Sequence, residues 1–536
     1  MSRNFAEVNS CRTEKENVSR AAGTVGFYTL LSRVLGLVRD MVLAYFFGSK
    51  MAADAFFVAF RIPNLLRRFF AEGSLTIAFI PVFTETLTQK SKQDAFELAR
   101  AVLTLVSLLL VVVTILGILL SPWIVRIQAY GFGASGAKYE LTVLLTRITF
   151  PYIFLVSLVA FFMGVLNSLR HFAAPAAAPI LLNVGIIAGA LWVSPLLSEP
   201  IVGAAVGVLI GGILQVMLQI PWILKKGLSL RPLWMPNHPA VKKIGLLMVP
   251  AIFGSAVYQL NQFIGTLLAS FLPQGSISWL YYADRIVQFP LGVFAIAIST
   301  AALPSLAKQV AGKDLSDFRE TLSHALRLVF FVTTPATVGL IILRVPLIEV
   351  FFQRGAFDHR ATLMTAQALL FYSLGLWAFS ASRVMLSAFY AFQDTKTPVK
   401  VATVTLVANA LLSLALMGPL RHGGLALSLS LSSTVQLLLL IFILRRRGDL
   451  LDLKSMVSSA GRSLAASAVM GVVLYGLHGR WWSPRQPGSV WSLALTFTSM
   501  IIIGGMVYFL MARLFRCPEV PAILRMFKPM VRRARA

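Results

Sequence analysis

Long apolar runs separated by short polar turns follow one another along almost the whole chain. The runs are continuous, rich in Leu, Val and Ala, and about 20 residues long, the length that carries an α-helix across the hydrocarbon core of a bilayer. They lack the strict alternation over about 10 residues that a transmembrane β-barrel strand requires. The pattern therefore predicts an all-α polytopic membrane protein with spans at residues 20–47, 52–85, 98–126, 139–168, 174–195, 201–224, 243–271, 277–307, 318–345, 362–391, 398–418, 423–445, 461–478 and 489–514. That is about fourteen transmembrane helices.

The pattern also repeats. "GAAVGVLIGGILQ", Gly203 to Gln215, and "GLALSLSLSSTVQ", Gly424 to Gln436, have the same length between their Gly and Gln ends, and each runs on to a basic stop, "ILKKG" from Ile223 and "ILRRRG" from Ile443. Pro175 and Pro398 open the preceding span in each case, and Pro195 and Pro419 close it. Landmarks in the same order point to a duplication, with a lobe of six spans over 1–227, a second over 228–448, and a C-terminal helix pair with a basic tail over 449–536. Because six is even, the two lobes insert in parallel, the arrangement that in many transporters frames a central substrate site.

Composition agrees with a membrane protein and sharpens its topology: 57% of the 536 residues are hydrophobic and 13% charged. The net charge of +27 is not a nucleic-acid footprint, because the basic residues sort into alternate loops. Lys90, Lys92 and Arg100 occupy one such loop, Lys225, Lys226, Arg231, Lys242 and Lys243 another, and Arg445, Arg446 and Arg447 a later one. The loops between them, such as 196–200 and 273–278, hold no Lys or Arg. The positive-inside rule then puts both termini in the cytoplasm. Residues 1–20 are polar and do not resemble a cleaved signal peptide, so the first span is expected to serve as its own insertion signal. Cys11 and Cys517 both fall on the expected cytoplasmic side, where a structural disulfide is not expected.

Against this background the charges inside the spans stand out. Arg33, Arg39 and Asp40 fall in the first span; Asp54, Arg61, Asn64, Arg67, Arg68 and Glu72 in the second, around Pro63; and Asp284 and Arg285 in the eighth, before Pro290. On a helix Arg33 and Asp40 nearly eclipse one another, so the first group forms one polar sector. Each charge facing lipid at mid-bilayer would cost about 2.5–3.5 kcal/mol, so these residues are expected to face a hydrated interior. Arg39–Asp40, Arg68–Glu72 and Asp284–Arg285 also read as pairs that staple helices, Arg68 and Glu72 equally well because they stand i,i+4, and Arg147, close to a helix start, and Arg383, near a cytoplasmic end, as snorkelling side chains. Arg33, Arg39, Arg67 and Arg285 outnumber the nearby carboxylates, and guanidinium forks match phosphate oxygens, so a phosphate or diphosphate is the expected guest.

Enzymatic readings find little support. The nearest approach to a nucleotide-binding loop, "GFGASGAK" from Gly131 to Lys138, has the wrong spacing and reads as a flexible extracytoplasmic turn. The six histidines are scattered without partners at metal-ligand spacing. No cofactor is expected; the energy source would be a coupling ion, Na+ or H+, or the membrane potential, which favours anion export by about 2.3 kcal/mol per charge per 100 mV.

"SRVLGLVRD" (from Ser32), "ADAFFVAFRIPNLLRRFFAEG" (from Ala53), "SWLYYADRIVQFPLGV" (from Ser278) and "DTKTPVK" (from Asp394) closely resemble the MurJ (MviN) lipid II flippases of bacteria, within the multidrug/oligosaccharidyl-lipid/polysaccharide exporter superfamily. The resemblance spans nearly the whole chain. It implies two six-helix lobes around a central cavity, a final helix pair that holds the polyprenyl tail, and a location in the bacterial cytoplasmic (inner) membrane. The implied substrate is lipid II, the undecaprenyl-diphosphate-linked peptidoglycan precursor, carried to the outer leaflet by alternating access. By motif position it implies essential cavity arginines at Arg33, Arg39, Arg67 and Arg285, with Asp40, Asp54 and Asn64 at characteristic polar positions. Where some relatives carry a carboxylate after "YYADR", this chain has Gln288, and Asn409 lies in the region where some members are credited with an ion site.

Two other readings remain open on sequence. A cation-coupled multidrug or polysaccharide-lipid exporter would share the architecture, although the arginine excess disfavours cationic drugs. A membrane scaffold would recruit cell-wall synthases through its basic loops and the tail "RMFKPMVRRARA", Arg525 to Ala536, which is basic enough to touch anionic membrane lipid.

Overall fold

The computed structural model describes residues 2–67, 76–482, 490–521 and 524, with side chains described for all of these except 2–22, 66–67, 76–77, 249–258, 293 and 490. Among the described residues the chain is helical, with no strand. It divides into two compact units, Met1–Gln274 and Gly275–Ala536.

The first unit contains α1 (Ser2–Phe47), α2 (Met51–Arg67), α3 (Thr76–Gln89), α4 (Lys92–Leu119), α5 (Ser121–Gln128), α6 (Ala137–Thr149), α7 (Tyr152–Ser168), α8 (Ala173–Ala188), α9 (Ile201–Lys225) and α10 (Pro239–Ser270). Helix α1 starts well before the expected 20–47, since its polar opening segment has no Gly or Pro until Gly23. It ends at Gly48, whose φ of 60° is the left-handed conformation that stops helices. The tightest packing joins α8 to α9. Gly203, Gly207 and Gly211 recur every four residues on α9, and a Cβ on Gly207 would lie 2.5 Å from the Gly185 carbonyl oxygen. Without Cβ atoms the two backbones approach as small-residue helices do in lipid, where dispersion replaces the hydrophobic effect as the packing force. Phe79, Phe83, Phe161, Phe162, Leu98 and Ile223 build the apolar core of this unit from α3, α4, α7 and α9.

The second unit contains α11 (Ser276–Pro290), α12 (Ile296–Ala311), α13 (Leu315–Ile342), α14 (Arg344–Phe352), α15 (His359–Ser373), α16 (Leu376–Ala391), α17 (Lys396–Leu420), α18 (His422–Arg446), α19 (Leu453–Leu477) and α20 (Val490–Leu514). A π turn, Leu291–Ala295, joins α11 to α12, and α15 meets α16 at a bend of 43°. Gly375 at that bend abuts Ser430 of α18, so closely that a Cβ would lie 2.5 Å from its Oγ. Leu322, Leu326, Val384, Met385, Phe389, Leu440 and Leu444 form the core between α13, α16 and α18. Helices α19 and α20 pack on each other and on α13.

Among the described residues nine helical runs are long and apolar enough to cross a membrane, and ten when α15 and α16 count as one bent span. The chain is thus a multi-pass membrane protein. The other four expected segments, 20–47, 52–85, 243–271 and 277–307, lie in α1, α2 with α3, α10, and α11 with α12. Of these, α1, α2 and α11 hold the charges singled out above. Exposed Leu, Val and Ile along α4, from Leu108 to Leu119, give the first unit an apolar outer surface suited to lipid.

Candidate functional site

Helix α1 carries its polar sector against α8. Arg39 is 6% exposed and Asp40 wholly buried. Arg39 donates to Asp40 Oδ1 from Nε at 3.0 Å and from Nη2 at 2.6 Å. Its Nη1 donates to Asn183 Oδ1 on α8 at 3.1 Å, and Asn183 Nδ2 donates to the Ser32 carbonyl at 3.1 Å. Asn183 therefore grips α1 at both ends of the "SRVLGLVRD" segment. Of the two readings the sequence left for Arg39, a cation in a field of surplus positive charge or a partner of Asp40, the structure shows the pair. Breaking such a buried pair from one side costs about 3–5 kcal/mol. Arg33, two turns earlier, is exposed.

Helix α2 distributes its polar residues among neighbours. Asp54, 1% exposed, pairs with Lys138 at the start of α6 at 2.9 Å. Arg61 donates to Thr266 of α10. Pro63 is buried within α2 and Asn64 is half-buried beside it. Arg67 closes α2, but its side chain lies outside the described residues, as do Arg68 and Glu72.

The segment Gly131–Lys138, expected to be a flexible turn, is an exposed turn tied at its two ends. Gly131 donates to Ser270 Oγ at 3.0 Å, and it fits only because a Cβ would lie 2.4 Å from the Ser270 backbone. Gly133 and Gly136 take φ of 86° and 111°, and the Lys138 ammonium sits 4.0 Å from the Phe132 ring centre while it pairs with Asp54. Arg147, expected near a helix start, falls in the last turn of α6, where its Nε donates to Ser121 Oγ at 3.1 Å.

In the second unit, buried Tyr282 packs against Phe352 and Phe357, which fixes the rotation of α11. Asp284 and Arg285, both half-buried, follow from that orientation. Gln288 Nε2 donates to Asp284 Oδ2 at 3.1 Å, one helical turn on. Arg285 Nη2 donates to the Tyr281 hydroxyl at 2.9 Å, with its guanidinium 5.4 Å from that ring. Gln288 therefore supports Asp284 where a carboxylate would repel it. Asn409 is buried on α17, with Ser432 Oγ 3.5 Å from its Oδ1. Among the described residues no group of three or more His, Cys, Asp or Glu could hold a metal ion.

Each unit thus brings part of the expected set together. Arg39 pairs directly with Asp40 and is held by Asn183, Asp284 and Arg285 share α11, and Asp54 and Arg61 tie α2 to α6 and α10 respectively. Asn183, Lys138, Thr266 and Tyr281 were not singled out from sequence. Asn183 alone left a visible trace, an amide inside the apolar run "LLNVGII".

Stacked apolar helices that carry charged side chains within them define a polytopic membrane protein. The comparisons with known proteins narrow the class. The family model described as Lipid II flippase MurJ matches residues 43–499. A Vibrio cholerae protein named "Probable lipid II flippase MurJ" is 39% identical over 505 residues, covering 92% of this chain and 95% of its own length. A Burkholderia cenocepacia "Lipid II flippase MurJ" is 40% identical over 436 residues, covering 81% and 84%. Among solved structures, "Lipid II flippase MurJ, inward closed conformation" superposes with a TM-score of 0.77 at 28% identity, over 92% of this chain and 98% of that one. An inward-facing multidrug resistance MATE family transporter of the MOP superfamily shares the fold with a TM-score of 0.65 at 14% identity, over 78% of this chain and 94% of that one. The chain belongs to the MurJ lipid II flippase family.

Proposed function

We infer that this chain carries lipid II from the inner to the outer leaflet of the bacterial inner membrane. The observation that carries the reading is the match to relatives named as lipid II flippases over nearly the whole chain at about two residues in five. Arg33, Arg39, Arg67 and Arg285 hold the diphosphate. Asp40, Asp54, Asn64, Arg61 and Asp284 complete the substrate-binding set, and the sugar-peptide head crosses by alternating access. Guanidinium forks suit this work because they bind phosphate oxygens bidentately and keep their charge at any physiological pH.

In this reading the chain has fourteen spans, arranged as lobes 1–227 and 228–448 followed by the pair and tail 449–536, with both termini cytoplasmic. The basic loops support that orientation. The energy source is the membrane potential or a coupling ion, Na+ or H+. Cell-wall synthases that consume the exported precursor are the natural partners, and the tail from Arg525 to Ala536 rests on anionic lipid.

The test is outer-leaflet accessibility of lipid II in a bacterium depleted of its own flippase and supplied with this chain. Wild type should restore accessibility and growth, while Arg39→Ala, inserted at a normal level, should restore neither. Full rescue by Arg39→Ala would remove Arg39 from the substrate site.

A further inference from the structure

The family match ends at residue 499, inside α20, yet the chain beyond it is closely built. Helix α20 stops at Leu514, Arg516 takes a left-handed backbone with φ of 53°, and the Cys517 N–H returns to the Ala512 carbonyl at 2.9 Å. This turn drives Cys517, Glu519 and Val520 into the interior, at 3%, 1% and 4% exposure. A carboxylate removed from water is costly unless charge and hydrogen bonds compensate it. Here Glu519 Oε1 accepts a 2.8 Å hydrogen bond from Ser459 Oγ of α19 and lies 3.5 Å from Arg327 Nε of α13. Arg327 in turn donates to Ser455 Oγ of α19, and Arg462 of α19 donates to the Arg516 carbonyl at 2.8 Å.

The same helices are tied elsewhere. Tyr508 of α20 donates to the Phe331 carbonyl of α13 at 2.5 Å. Trp482, at the far end of α19, donates from Nε1 to Glu349 of α14 at 3.0 Å. Polar links therefore join the last two helices to α13 and α14, and the one just beyond α20 is made by a buried charge. We propose that residues 515–521 form a latch, pinned by Glu519 to Arg327 and Ser459, that fastens the α19–α20 hairpin to α13. The latch makes the last helix pair a fixed part of the second unit.

The buried thiol inside the latch supplies a readout independent of transport. Cys11 and Cys517 are the two cysteines of the chain, so a Cys11→Ser background leaves Cys517 as the single reporter. The purified full chain in detergent is treated with a maleimide and the labelling rate of Cys517 is measured. Burial and the nearby Glu519 charge push the Cys517 thiol pKa up. Glu519→Gln would therefore raise reactivity by two routes at once. Arg327→Gln removes the cation beside Glu519, and the labelling rate is followed across pH, so that a faster rate at a pH where the thiol is fully ionised reports opening alone. Labelling should rise at least about tenfold in Arg327→Gln and by a smaller factor in Ser459→Ala, which deletes one hydroxyl and leaves both charges in place. If Arg327→Gln does not purify as a folded protein, Ser459→Ala carries the test. Parental labelling rates in the variants that fold would overturn the latch.

Discussion

Arg39 is constrained on two sides, by Asp40 next to it in sequence and by Asn183, 144 residues away. The amide accepts from the guanidinium and donates to the Ser32 carbonyl, so it sets both the side chain and the helix that bears it. Asn183→Ala should therefore reduce lipid II export by about tenfold to a hundredfold, the range expected when a positioning group is lost, with protein levels near wild type. Outer-leaflet lipid II in a flippase-depleted strain, read beside an immunoblot, checks this; normal export would make Asn183 a packing residue only. Much of the site was legible as anomaly, because arginines and carboxylates inside apolar runs announce themselves. Their partners were not. Lys138 lies 84 residues from Asp54, and no local pattern links the two; the bond exists because α2 packs on α6. By contrast, the Arg39–Asp40 pair was legible as one of two readings, and the structure shows it, so that Asp40 offsets part of the positive charge counted from the sequence.

Most helices followed directly from the apolar runs, while their breaks did not. Gly375 turns α15 into α16 because Ser430 of another helix leaves room for nothing larger, a tertiary fact with no local signature. The Gly-to-Gln segments at 203–215 and 424–436 gave a better clue. Gly203 and Gly424, which open them, both meet the preceding chain closely, with a Cβ 2.4 Å from Ser194 N in one case and 2.2 Å from the Leu416 carbonyl oxygen in the other. At the α8–α9 seam, Gly207→Ala should force the helices apart and destabilise the protein by about 1–3 kcal/mol, seen as a lower melting temperature in detergent. Gly265→Ala on α10, where nothing lies within 4 Å, should melt at or slightly above wild type. Equal melting of the two variants would contradict the seam.

The turn into α17 has its own tie. Burial alone would push the Asp394 carboxyl up, but hydrogen bonds from Thr397 and Arg447, together with the Arg447 charge, hold it at about 2. A depressed folded-state value means that the tie stabilises the fold above the ordinary carboxylate range and is lost as pH falls from about 4 toward 2. Wild-type melting temperature should fall in that window more steeply than that of Asp394→Asn, which lacks the group. Parallel curves for the two proteins would remove Asp394 from the account.

At the scale of the whole molecule, the chain moves a lipid-linked diphosphate across a bilayer. Its net charge of +27 resides in loops, tail and a few intramembrane arginines, which suits an anionic cargo and an outward step aided by an inside-negative potential. The fold alone is compatible with other exporters, since a multidrug transporter shares it at 14% identity. The substrate reading therefore rests on the relatives named as lipid II flippases and not on the fold. The most direct measurement reconstitutes the purified chain in vesicles with lipid II in the leaflet that corresponds to the inner one, and follows its appearance on the opposite face. Wild type should transfer lipid II while Arg39→Ala and Arg285→Ala stay near protein-free vesicles. Failure of the wild type to transfer it, with and without an imposed potential and ion gradient, would contradict this activity.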